Sequence, residues 1–308
     1  MKVIYILGCS RCGSTVLNSI LGNHEDAVGL GEFEKLLPVG WLGEDYCGCG
    51  IRVAECPFWS EVRCRWTHGG GDVARYHQLS RRFQRLRQLP RILIANESRS
   101  TDFAEFASRT RELFKAVSGV SGATVIVDSS KNPVRGMALC RVKGLDVRLI
   151  HLVRDPRGMA ASLVRGLSRD HAGGIQQDLP PRPVKAVARE WNFMGRVADW
   201  LLRSRSPDTC IRVRFESLLE QPEQTIQAIG RVVGIDLGVV AKGIANHDPI
   251  QIGPHMVAGN RIRMQKCTTL WRSDNWEESL DPSARAQVER QCARRMLRYG
   301  YTIKRASD

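Results

Sequence analysis

Residues Arg11, Cys12, Gly13, Ser14 and Thr15 form a short loop between an apolar run at 3–7 and a helical apolar pattern at Val16, Leu17, Ile20 and Leu21. A buried strand feeding such a turn points successive backbone N–H groups the same way, and the positive end of the following helix adds to them. That chemistry suits an anionic guest, a nucleotide phosphate first of all. The loop departs from G-x-x-x-x-G-K-[ST] in lacking the lysine and offering Arg11 instead, which argues against an ordinary ATPase. Further on, Arg154 follows an apolar run at 147–153, Pro156 stands where a helix would begin, and Ser162 lies eight residues beyond Arg154. If the strand-to-helix turn folds back, the guanidinium forks onto two phosphate oxygens and the hydroxyl donates a third bond. The competing reading is a helix cap in which Arg154 pairs with Asp155.

Strands must deliver both loops. Apolar runs at 3–7, 124–127, 147–153 and 210–215 read as buried parallel strands. Helical patterns follow at 14–22, 74–88, 101–118, 133–143, 156–166, 184–204, 217–233 and 281–298. The segment from Ser98 to Phe106 offers a Ser or Asp cap, and Asp281-Pro282 a cap with proline at the first helical position. The alternation predicts an α/β fold, a P-loop-NTPase-like parallel sheet flanked by helices, in a single domain over residues 1–308. Ligands then belong at the carboxyl ends of the strands, just after Leu7, Val127 and Val153. Three stretches, about 40–72, 168–183 and 246–280, break the alternation and read as irregular insertions of functional use.

Lys plus Arg total 46 against 32 Asp plus Glu, a formal charge of +14. That surplus suits a polyanionic ligand, nucleic acid or an anionic membrane surface. The basic residues are scattered through helices, as at Arg81, Arg82, Arg85 and Arg87, rather than clustered with aromatics, so no nucleic-acid partner is expected. The start MKVIYILGCS imitates a lipoprotein signal, but its apolar run is shorter than the roughly 7–15 residues of a real one. No run approaches the ~20 residues that span a bilayer, so a soluble, cytoplasmic protein is expected, with peripheral membrane contact left open. Oligomeric state is not legible.

The pair RCGST and Arg154-x7-Ser162, in this order and context, resembles the sulfotransferases that use 3′-phosphoadenosine 5′-phosphosulfate (PAPS). The wording VRLIHLVRDPRGMAAS is similar to the Golgi carbohydrate and tyrosylprotein branches and to many bacterial members. The resemblance implies that the first loop cradles the 5′-phosphosulfate while Arg154 and Ser162 hold the 3′-phosphate. It also implies Glu32, in GLGEF, as the base for an acceptor hydroxyl, with neighbouring Glu34 as the rival. Lys131, in VDSSKNP, matches a family lysine near the bridging oxygen, where its charge and that of Arg11 would stabilise the leaving phosphate. Ser129 and Ser130 read as helpers or as turn formers. GNRIR, with Leu270, Arg272, Asp274 and Trp276, looks like a cofactor-covering loop in which Arg261 or Arg263 closes over the 3′-phosphate or adenine. The resemblance spans residues 3 to about 276, in three islands.

Ten cysteines are many for a cytosolic chain. Cys140, Cys210 and Cys292 sit in apolar or helical contexts that suit packed thiols. Cys47, Cys49, Cys56 and Cys64 could make a zinc site, but C-x-C-x6-C-x7-C lacks the usual C-x2–4-C pairs, leaving buried thiols or one disulfide as alternatives. His24, His151, His247 and His255 read as structural, with His255 placed to face the acceptor.

The expectation is therefore sulfuryl transfer from PAPS to a hydroxyl of a carbohydrate, glycolipid or other small molecule, leaving adenosine 3′,5′-bisphosphate and requiring no metal. A nucleotide kinase on a related fold and a non-catalytic basic nucleotide- or nucleic-acid-binding protein are the alternatives. Trp41, Phe58, Trp59 and Trp66 suit either an acceptor pocket or the core.

Overall fold

The computed structural model describes residues 1–170, 175–270 and 276–303. Strands β1 (Lys2–Leu7), β2 (Ala27–Gly29), β3 (Val125–Lys131), β4 (Asp146–Val153) and β5 (Cys210–Arg214) pair in parallel in the order β2-β3-β1-β4-β5. Along β1, Val3, Tyr5 and Leu7 enter one apolar core while Ile4 and Ile6 enter another, and Val147 and Leu149 of β4 divide from Ile150 and Leu152 likewise. A sheet apolar on both faces needs a helical layer on each.

The helices are α1 (Ser14–Gly22), α2 (Pro57–His68), α3 (Val73–Phe83), α4 (Leu89–Ile94), α5 (Thr101–Ser121), α6 (Pro133–Leu139), α7 (Pro156–Leu163), α8 (Val184–Arg203), α9 (Phe215–Glu220), α10 (Pro222–Val233), α11 (Gly238–Ala245), α12 (Trp276–Ser279) and α13 (Pro282–Arg298). Helices α2, α3, α5 and α6 cover the first face and α1, α10 and α11 the second. A third cluster joins α7, α8 and α13 through Met159, Trp191 and Met296. With β3 on one side of β1 and β4 on the other, the chain reverses direction across the sheet at β1, so the ligand crevice opens at its carboxyl end.

Most expected elements form, with instructive differences. The helix expected over 217–233 is two, because Pro222 has no N–H to continue α9 and opens α10 instead. The helix expected over 74–88 stops at Phe83. Strand β3 runs on through polar Asp128, Ser129, Ser130 and Lys131, since β1 supplies its partners. Strand β2, three residues long, is too short to show a period and exists by pairing with β3. Helix α2 lies inside the stretch read as irregular, with Pro57 in its first turn, and α11 was not anticipated. Trp41, Trp59 and Trp66 are core residues, 5%, 0% and 1% exposed, which decides their alternative in favour of packing. Among the described residues no helix is long and apolar enough to cross a membrane.

Candidate active site

The loop after β1 is held in a conformation few sequences adopt. Gly13 caps α1 at φ 91°, and a Cβ there would stand 2.2 Å from Phe215 Cδ2. Arg11 is also left-handed, at φ 63°. Such a backbone costs a non-glycine residue about 1–3 kcal/mol and persists where surrounding contacts impose it, commonly at functional sites. The first amides of α1 have no acceptor within the helix and face the crevice. Ser14 and Thr15 are buried in this turn, and Thr15 Oγ1 accepts a bond from the Asn260 amide at 3.1 Å. Cys12 is buried, and burial pushes its thiol up, so it packs as a neutral side chain.

Strand β3 pairs with β1 in step until Tyr5 meets Asp128, then slips so that Leu7 stands opposite Lys131. The irregularity turns Lys131 to φ 67° beside Gly8, whose amide donates to the Lys131 carbonyl at 3.3 Å. From there Lys131 Nζ donates to Glu32 Oε1 at 2.5 Å. Burial alone would lower the Lys131 pKa, but Glu32 and then Cys12 more than offset it, and the ammonium titrates above its ordinary value. Glu32 lies just beyond β2, its amide bonded to the Val257 carbonyl at 2.8 Å. Arg11 faces the same space: burial first, and then the like charge of Arg261, lower its pKa, while Glu32 acts the other way.

Arg154 arrives from β4. Its Nη1 donates to the Arg11 carbonyl at 2.9 Å, and its guanidinium carbon lies 5.3 Å from the centroid of the Phe215 ring. Burial lowers its pKa, with Glu216 opposing. The turn does fold back, because a Cβ on Gly158 of α7 would lie 3.5 Å from Arg154 Nε. Ser162, four residues on from Gly158 and half-buried, occupies the same helix face one turn further. Asp155 is the expected cap but pairs with Arg157, not Arg154: its carboxylate accepts the Arg157 amide at 2.8 Å and its guanidinium at 2.7 Å. Glu289 takes the other side of Arg157 at 2.8 Å.

The 259–263 loop folds over the cradle. A Cβ on Gly259 would lie 3.1 Å from Thr15 Oγ1 and 3.8 Å from Glu32 Oε1. Asn260 caps the short turn Arg261–Met264, accepting the Ile262 amide at 3.2 Å. The two arginines part company there. Arg261 is exposed on the crevice side with Arg11, whereas Arg263 is 1% exposed and donates from Nη2 to the Tyr46 carbonyl at 3.3 Å. Arg263 thus anchors the loop from beneath. Arg272 and Asp274 lie outside the described residues.

Glu34 points away from this cluster. Its carboxylate accepts from Asn132 Nδ2 at 3.0 Å, and burial raises its pKa. Ser130 is a turn former: it bonds Asp128 Oδ1 through its amide at 2.9 Å and accepts the Glu34 amide at 2.9 Å. Asp128 in turn holds Arg135 at 2.8 Å in a buried ion pair. Glu34, Asn132 and Arg135 border an open cavity of about 390 Å³ lined also by Phe33, Tyr76 and Gln84. Phe215, which seals Gly13 and carries Arg154, was read only as the end of the 210–215 strand, although β5 stops at Arg214 and Phe215 opens α9.

Against known proteins, the model described as the sulfotransferase family matches residues 57–238. No curated protein sequence matches the chain. Among solved structures, the fold is similar to the sulfotransferase domain from the curacin biosynthetic pathway, at TM-score 0.54 and 15% identity over 98% of this chain and 99% of that one. It is equally similar to the sulfotransferase domain of the Synechococcus PCC 7002 olefin synthase, at TM-score 0.54 and 17% identity over 99% and 96%. A sulfotransferase from Mycobacterium avium follows at TM-score 0.50 and 11% identity over 97% and 77%.

Proposed function

Because the chain belongs to the sulfotransferase family and so moves sulfuryl groups, we propose that its donor is PAPS and its acceptor a hydroxyl of a carbohydrate, glycolipid or other small molecule. The observation that carries this reading is the meeting of Arg11, Lys131 and Glu32 at the ends of β1, β3 and β2, with Arg154 closing the same loop from β4. The crevice fits a polyanion. Burial lowers the pKa of Arg11, which also faces the like charge of Arg261, with Glu32 acting the other way. A cation desolvated in this way gains from an added anion.

The donor supplies an activated sulfuryl group, and the rest falls to this chain. The 11–15 loop and the α1 amides hold the 5′-phosphosulfate, while Arg154 and Ser162 hold the 3′-phosphate with Arg261 above. Glu32 takes the proton of the acceptor hydroxyl as its oxygen bonds to sulfur. Lys131 and Arg11 stabilise the charge that grows on the phosphate as the bridging S–O bond breaks, releasing adenosine 3′,5′-bisphosphate. The acceptor enters from the side built by the described parts of the insertions, 40–72, 168–170, 175–183, 246–270 and 276–280.

Thermal unfolding tests the donor. Adenosine 3′,5′-bisphosphate should raise Tm without Mg²⁺, and a rise seen only with Mg-ATP would replace this reading with a kinase. Incubation with labelled donor and a panel of sugars, glycolipids, phenols and peptides identifies the acceptor class.

A further inference from the structure

We propose that Cys47, Cys49, Cys56 and His255 bind one zinc ion through three thiolates and the imidazole Nδ1. The ion clamps the segment before α2 to the segment that covers the active site. The ligand atoms of these four residues all lie within 4.8 Å of one another. Cys49 Sγ and Cys56 Sγ are 3.6 Å apart, and His255 Nδ1 stands 3.5 Å from Cys56 Sγ and 3.8 Å from Cys47 Sγ. Ligands on a tetrahedron with Zn–S of about 2.3 Å and Zn–N of about 2.05 Å are separated by about 3.8 Å between sulfurs and about 3.6 Å from sulfur to nitrogen. These three distances are those of a coordination shell, and the remaining pairs lie within 4.8 Å. A disulfide would need Cys49 and Cys56 at about 2.05 Å, and both are free thiols.

The set differs from the four cysteines suggested by the sequence. Cys64 is exposed on α2, with its sulfur 3.4 Å from His68 Nδ1. Its place is taken by His255, 199 residues beyond Cys56, which explains why the cysteine spacing alone matched no zinc pattern.

The surroundings hold the ligands for this purpose. The Cys47 amide donates to the Ile51 carbonyl at 2.8 Å and the Gly50 amide to the Cys47 carbonyl at 3.0 Å, a tight knuckle that turns Cys47 and Cys49 to one point. The Phe58 ring stacks on the imidazole at 4.6 Å and 2°, and Trp59 Nε1 donates to the His255 carbonyl at 3.0 Å. Such outer contacts fix ring orientation at metal sites. The thiols bind as thiolates, and their protons pass to solvent on binding. The filled site carries one net negative charge, and buried Arg263 belongs to the strip packed on it, its carbonyl 2.9 Å from where a Cβ on Gly48 would stand.

The position gives the ion a task. The Gly48 amide donates to the Met256 carbonyl at 3.0 Å, one residue past His255. Val257 then exchanges bonds with Leu30 and Glu32 at 2.9 Å and 2.8 Å, and the Asn260 amide reaches Thr15. Zinc thus secures the strip that positions Glu32 without touching the reacting atoms, and with four protein ligands it is a closed, structural site.

Metal analysis of the full chain, purified under reducing conditions, should find about one zinc per chain that survives gel filtration. The cobalt-exchanged chain should display thiolate-to-metal charge transfer and the intense d–d bands of a tetrahedral centre. Cys49→Ser should weaken zinc retention at least tenfold against a chelator, whereas Cys64→Ser should not change it. A folded wild-type chain that neither carries zinc nor takes it up on titration overturns the proposal, as does an octahedral cobalt spectrum or a native Cys49–Cys56 disulfide found by mass spectrometry. The wild-type measurements stand even if a cysteine variant fails to fold. They are independent of the donor assignment.

Discussion

Lys131 Nζ donates to Glu32 Oε1 at 2.5 Å, joining two side chains 99 residues apart in the chain. Neither residue reaches the other from a regular strand. Lys131 is turned by the slip in the β1–β3 pairing, and Glu32 is held by the Val257 carbonyl. Burial disfavours the Lys131 ammonium, and the charge of Glu32 offsets it. In the proposed reaction, an anionic group on the ammonium would free the carboxylate to take a proton.

This coupling sets the first expectation. Glu32→Gln should preserve bisphosphate binding and lower turnover by about 10²–10⁴-fold. Lys131→Met should lower turnover as well, while Glu34→Gln, which alters a carboxylate bonded to Asn132, should change it far less. Steady-state rates with saturating donor decide the matter, and near-normal turnover of Glu32→Gln would move the base to Glu34 or a histidine.

Arg154 precedes α7 and packs beside its Gly158, one turn before Ser162, and in the proposed reading each should add to donor affinity. Hydrogen bonds to charged groups contribute about 1.5–3 kcal/mol, so Arg154→Ala should weaken adenosine 3′,5′-bisphosphate binding by at least about tenfold. Ser162→Ala should weaken it less. Calorimetric titration without Mg²⁺ measures both. Salt-sensitive binding to DNA or RNA that survives the two substitutions would instead support a nucleic-acid role.

Gly13→Ala combines a left-handed backbone with a methyl group driven into Phe215. Strain and overpacking together should cost about 3 kcal/mol, read as a lower denaturant midpoint and a lost bisphosphate-induced Tm rise. Phe215→Ala in the same chain removes the steric part, so the double variant should be more stable than the sum of the singles predicts. Strict additivity in the cycle would mean that the ring does not hold the loop.

His151 gives the fold a pH dependence. Burial first, and then Arg212, lower its pKa from 6.5 to about 3, so the folded chain keeps it neutral. The unfolded chain binds the proton at about 6.5. Stability from this group is complete above that value and falls as the pH drops toward 3, by up to about 1.4 kcal/mol per unit. Urea unfolding of wild type and His151→Gln at pH 7.5, 6 and 5 should give a shallower pH slope for the variant. An unchanged slope would assign the titration elsewhere.

Much of the architecture was legible because it repeats local rules. Apolar runs with turns after them located β1, β4 and β5, and Asp281-Pro282 opened α13 as expected. The turn after β1 and the turn after β4 that carries Arg154 were readable because each lies within one strand–turn–helix unit, where local spacing determines local geometry. Strand β2 and the polar end of β3 were hidden, since both depend on bonds to neighbouring strands rather than on their own pattern.

Alone, the sequence determined the alternation of β1, β3, β4 and β5 with helices and the Gly- and Ser-containing turn after β1, and it supplied the residue types proposed for sulfuryl transfer, for these follow from periodicity and near-neighbour spacing. Tertiary structure decided that Lys131 meets Glu32, that Arg157 relieves Arg154 of Asp155, that Arg263 turns inward while Arg261 does not, and that His255 joins three cysteines in place of Cys64. Each of these choices is made by contacts with another part of the fold, through burial and backbone hydrogen bonds that no local pattern encodes.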